Sequence, residues 1–152
     1  MCPERVEHAT EASPAGPRSL EPIPRGRCLE LLATVPIGRV VFTEDALPAV
    51  HPVNFALSGE DVIVRTAAGH KLAAARRGDL LAFQADHIDE DSRTGWSVLV
   101  IGRASVVTDV DELVATIDLS RRPWAPGRGG HVIRIAGERI TGRRLLLGGS
   151  PA

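Results

Sequence analysis

The chain has 152 residues, enough for one domain with one core, and no internal repeat or long linker divides it. Its 18 Lys plus Arg and 19 Asp plus Glu nearly cancel, which excludes the basic excess of a nucleic-acid binder. Three Phe, two Trp and no Tyr offer few platforms for stacking bases, so the core falls to Val, Ile, Leu and Ala.

Residues 1–20 are rich in Pro, Glu, Ala and Ser without periodicity and are expected to form a disordered tail, with the folded domain over 21–148. The tail lacks the apolar centre of a signal peptide, and no apolar run reaches 18 residues. With two cysteines, Cys2 and Cys28, no disulfide framework is expected, so a cytoplasmic protein with no membrane role is the expectation. The first helix is expected from about 22–25 to Thr34, because Cys28, Leu31, Leu32 and Val35 share one face. Pro36 and Gly38 stop it.

Strands are expected over 39–43 and 49–57, joined by a turn at 44–48, with Pro52 forcing an edge or a bulge. Ser58-Gly59-Glu60-Asp61 reads as a hairpin turn into a strand over 62–66, apolar on both faces. After the small-residue loop Ala67-Ala68-Gly69, a helix is expected over 70–77, closed by Gly78. A strand over 80–85, an acidic loop over 86–94 and a long strand over 95–108 follow. Both alternating sets of that long strand are apolar; one set can fill a barrel, and the other needs a cover, for which a second subunit is the natural choice. A helix over 108–119, a loop over 121–130 and strands over 131–135 and 140–147 complete the chain. Six or seven strands in mainly antiparallel order, with helices between them, give a mainly β fold: a small barrel rather than a doubly wound sheet.

Chemistry concentrates between Val50 and Leu72. Arg65 and Thr66 end a strand and Lys71 opens the next helix, so a guanidinium, a hydroxyl and an ammonium gather near free helix N–H groups. Gly69 lets the backbone approach a ligand. The set suits a phosphate, though the spacing matches no P-loop or dinucleotide fingerprint, and solvated surface cations are the plainer alternative. His51 shares a strand face with Val53 and Phe55; it reads as a core or interface histidine, a proton donor or a haem ligand. The acidic loop, with Asp86, His87, Asp89, Glu90 and Asp91, lacks the glycine and distant glutamate of a calcium loop, and no metal site is expected. Cys28 lies in an apolar pattern and is not expected to be a nucleophile.

The run PVNFALSGEDVIVRTAAGHKL resembles the FMN-binding region of the pyridoxamine 5′-phosphate oxidase-like flavoproteins, the FMN-binding split-barrel family. GWSVLVIGRA, RPWAPG and ITGRRL resemble the later blocks of an actinobacterial-type branch, in the same order. The resemblance implies a split β-barrel that dimerises, with two FMN sites at the subunit interface. It implies Arg65 and Thr66 on the phosphate or ribityl chain, His70 and Lys71 on the phosphate, and Pro52, Val53 and Asn54 along the isoalloxazine edge. Ser97 and Trp96 would come from the partner subunit, and Trp124 and Arg143 from the tail region. The C-terminal stretch GERITGRRLLLGGSPA lacks the Arg-x-His-type substrate signature, so oxidation of pyridoxamine 5′-phosphate is not expected. The implied activity is an FMN-dependent oxidoreductase acting on a small planar acceptor, with no residue standing out as a required acid or base. The rival expectation is a split barrel that stores or senses flavin, the deazaflavin F420 or haem without turnover.

Overall fold

The computed structural model describes residues 17–108 and 130–147. Trp124, the helix expected over 108–119 and nearly all of the loop expected over 121–130 lie outside the described residues, as do residues 1–16. In chain order the elements are β1 (Pro17–Ile23), α1 (Arg25–Leu32), β2 (Ile37–Glu44), β3 (Leu47–Ser58), β4 (Asp61–Thr66), α2 (His70–Arg77), β5 (Leu80–Asp89), β6 (Thr94–Val106), β7 (His131–Ile135) and β8 (Arg139–Leu147).

All pairings are antiparallel, and the strands run β1-β8-β6-β5-β2-β3-β4-β7. A further β6–β7 pairing closes six of them into a barrel, with β8 and β1 continuing outward from β6. The long β6 makes this possible: Thr94–Ile101 pairs with β8, and Ala104–Val106 with β7. At the change of partner, a Cβ on Gly102 would stand 1.8 Å from the Ala136 carbonyl oxygen, so only glycine fits. The expected antiparallel split barrel is the fold observed.

Inward residues alternate along each strand and make one core: Val40 and Phe42, Phe55, Leu81 and Phe83, Val98 and Val100, Ile133 and Ile135. β4 is buried on both faces, as its apolar run predicts; Ile63 turns away from the main core to meet Val107 and Val132. α2 carries buried Leu72, Ala74 and Ala75. Its end is a Schellman motif, with Gly78 at φ +74°, its N–H donating to Ala75 and that of Asp79 to Ala74. α1 seats Cys28 where a Cβ on Gly142 of β8 would come within 2.6 Å of its sulfur.

Three boundaries differ from the sequence reading. Pro17–Ile23 forms a strand on the edge of β8, so an ordered element takes in the last four residues of the expected tail. The ladder of β8 holds it, and nothing in its own composition announces it. β5 runs on to Asp89, through half of the expected acidic loop, because Asp86 to Asp89 find partners on β6 from Ser97 to Thr94. Asp89 then stops the strand by accepting the backbone N–H groups of Asp91 and Ser92 on one carboxylate oxygen. The β2–β3 turn is tighter than expected, since Glu44 pairs directly with Leu47 and only Asp45 and Ala46 bridge them, at φ +52° and +65°.

Candidate functional site

The barrel is open along one seam. β3 pairs with β4 only from Phe55–Ser58 against Asp61–Val64. Beyond that, β3 stays with β2 as far as Leu47, while Arg65 and Thr66 stay with Val132 and His131 of β7. The two strands therefore part at Asn54 and Arg65. α2 begins four residues after Thr66, and its Lys71 reaches β2 and β3 on the far side of the seam.

Polar groups collect in this seam. The Thr66 side chain is 7% exposed and donates its hydroxyl to the Ala67 carbonyl oxygen at 3.0 Å. Asn54 Oδ1 is buried with no hydrogen-bond partner, which marks a place where a donor is missing. The N-terminus of α2 has no side-chain cap; Gly69 precedes it at φ +156°, and the first helical N–H groups are available to an anion.

Lys71 lies at the centre. Its Nζ is 2.9 Å from His51 Nδ1 and 5.4 Å from the centroid of the Phe42 ring. Phe42 in turn meets the His51 ring edge-on, with centroids 4.9 Å apart. Burial lowers the Lys71 pKa from 10.5, and the Glu44 carboxylate partly offsets this. An ammonium at Lys71 donates to Nδ1, so His51 carries its own proton on Nε2 and can donate from there. His70 instead sits between two carboxylates, 3.8 Å from both Glu44 and Asp45, so it ties α2 to the tip of the β2–β3 hairpin.

The remaining candidates divide by face. Val53 packs on the core, and Pro52 is exposed beside Arg39 on the outer face of the sheet. Trp96 is 7% exposed and belongs to the core. Ser97 points the other way, opposite Asp86 and Arg143, and lines an outer cleft of about 330 Å³ with Arg143. The structure thus sets Asn54, Arg65 and Thr66 along the parting strands, Asn54 and Arg65 alternating to the outer face and Thr66 to the core-facing one, with His70 and Lys71 at the helix start, and places Ser97 and Arg143 together on the outer sheet face. Sequence reading missed the Lys71–His51–Phe42 contact, since a 20-residue separation carries no local signal, and missed Gln84 and Asp86 in the outer cleft.

An antiparallel barrel split along one seam, with an uncapped helix start at the opening, defines a split-barrel protein. The profile described as pyridoxamine 5′-phosphate oxidase matches residues 24–144, and the chain belongs to that family. An uncharacterized protein of Mycobacterium tuberculosis is 39% identical over 140 residues, covering 89% of this chain and 91% of its own. The solved structure of the FAD binding protein from Mycobacterium smegmatis is 33% identical, with TM-score 0.66, over 82% of this chain and 98% of that one. A FAD-binding protein from Mesorhizobium loti, 22% identical, shares the fold at TM-score 0.70 over 83% of this chain and 96% of that one. Among the described residues no cluster of His, Cys, Asp and Glu is arranged to hold a metal, and no helix is long and apolar enough to cross a membrane.

Proposed function

We propose that this chain is an FMN-binding oxidoreductase that works as a homodimer. The observation that carries the reading is the donor set of the seam: Thr66, the uncapped start of α2 and Lys71 suit a phosphate, and the orphaned Asn54 acceptor suits a ring N–H. When bound, the flavin supplies the redox chemistry, taking electrons from a reduced nicotinamide and passing them to a small planar acceptor. The chain's own residues bind and orient it. Lys71 contributes charge, His51 holds a proton on Nε2 beside the opening, and Phe42 keeps the Lys71 stem out of water.

The outer face of β3, β2, β5 and β6 supports a second subunit. Val50, Val41, Ala82 and Ile101 form one row across these four strands, and Val50 is 54% exposed. Leu80, in the next position along β5, is 61% exposed. A contiguous apolar row of this kind is rare on a monomer. Ser97 and Arg143 lie on the same sheet face, away from the seam of their own chain, which supports a site completed by a partner.

FAD is the second reading, favoured by the FAD-binding relative from Mycobacterium smegmatis. The test is an absorbance spectrum of protein purified without added cofactor, followed by titration with FMN, FAD, F420 and haemin. Retained flavin bands, with FMN binding weakened roughly ten- to a hundredfold in Lys71→Ala, are the expected result for loss of one charge-assisted contact. Retention of FAD alone would replace the nucleotide. A Soret band from added haemin, or a colourless protein that holds none of the four, would overturn the flavin reading.

A further inference from the structure

The outer cleft contains a hydrogen-bond chain whose direction can be read atom by atom. Gln84 Nε2 donates to Asp86 Oδ2 at 2.8 Å and to Ser97 Oγ at 3.1 Å. Gln84 Oε1 accepts from Arg39 Nη1 at 3.1 Å, and Arg39 Nη1 also stands 3.6 Å from Asp86 Oδ2. A carboxylate can only accept and a guanidinium can only donate, so the amide is locked one way round. Both of its N–H groups are used, and Ser97 receives one of them. The Ser97 oxygen is thereby an acceptor toward Gln84, and its own proton is left to point into the cleft.

That proton faces a space walled by Leu99 and Leu145, with Arg143 directly opposite Ser97 in the β6–β8 ladder. Two donors between two apolar walls, with the Asp86 carboxylate that also lines the cleft already accepting from Gln84, suit a planar ring that presents an acceptor edge, a carbonyl or a carboxylate. We infer that Gln84 is a positioning residue, held by Arg39 and Asp86, which fixes Ser97 as the hydrogen-bond donor to such an acceptor edge. The inference rests on the proposed flavin site only for where the ring comes from: the flavin of a second copy, or a free heteroaromatic carboxylate.

The test uses the full chain and the side-chain amide region of its ¹⁵N–¹H spectrum, where the Gln84 pair is the one missing from Gln84→Met. FMN is added to one sample and nicotinate to another. The expected result is that the pair moves in Ser97→Ala before any ligand is added, and moves in the wild type with ligand. Affinity for that ligand then falls about tenfold in Ser97→Ala and in Gln84→Met, and no further in the double variant, because Gln84 acts through Ser97. A response to FMN that vanishes in Lys71→Ala assigns the ring to a flavin seated in a partner's seam. A response to nicotinate alone assigns a free ligand. No response to either, or a double variant whose loss is the product of the single losses, overturns the inference. Wild-type protein that retains no FMN sinks the flavin reading by itself, and the nicotinate arm still decides the role of Gln84.

Discussion

At the scale of single residues, Lys71 sets a testable pH dependence. Desolvation makes its ammonium more costly in the fold than in the open chain, so the unfolded state holds the proton more tightly between the lowered value and 10.5. Stability from this group therefore rises with pH through that alkaline window, and below it both states are charged and the slope vanishes. Replacing it by Met should flatten the slope of unfolding free energy against pH there, as read by urea titrations at stepped pH. An anion in the seam favours the ammonium, so FMN affinity should fall as pH rises through the same window, and Lys71→Arg should remove the fall. The placing of Arg65 and Thr66 at a strand end and Lys71 at a helix start was legible in outline, because the loop between them is short and its helix signals are strong. The ion-pair partners of His70 were not legible. Its two carboxylate neighbours come from a hairpin tip 25 residues away, and no local pattern announces them.

Elements show where backbone geometry overrides residue preference. Asp45 and Ala46 both occupy the left-handed region because a two-residue turn must match the twist of β2 and β3. Alanine pays for that conformation while glycine does not, so Ala46→Gly should raise the unfolding free energy by about 0.5–1 kcal/mol, seen as a higher urea midpoint with unchanged m. Gly102 presents the opposite case. Its missing Cβ makes room for the Ala136 carbonyl where β6 changes partners, so Gly102→Ala should cost roughly 1–3 kcal/mol. Cys28, fully buried between α1 and β8 with its thiol pKa raised chiefly by burial, should react with a thiol reagent only as fast as the protein opens. A Cys2→Ser background isolates that rate. Apolar periodicity and glycine stops made the two described helices and most strands readable. β1 escaped because a Pro- and Glu-bearing edge strand takes its conformation from β8, and the polar end of β5 escaped because β6 supplies its partners.

On the scale of the whole molecule, the outer sheet face decides whether one chain is the working unit. β6 alternates two apolar sets, and the core takes Trp96, Val98, Val100 and Ala104. Leu99 and Ile101 are only partly buried, and the ladders align Ile101 with Ala82, Val41 and Val50. No sequence pattern could have aligned four strands in that order, although the doubled alternation of β6 already asked for a cover. If a second copy provides it, light scattering after gel filtration should give twice the 16.2 kDa chain mass. Val41→Lys with Ile101→Lys places two charges along the row without touching the core, and should yield a monomer whose far-ultraviolet dichroism is unchanged. Because Ser97 and Arg143 share that face while Lys71 lies in the seam, the same double variant should also lose flavin. A monomer that keeps flavin at wild-type affinity would show that the seam of a single chain is sufficient and that the outer face serves another end.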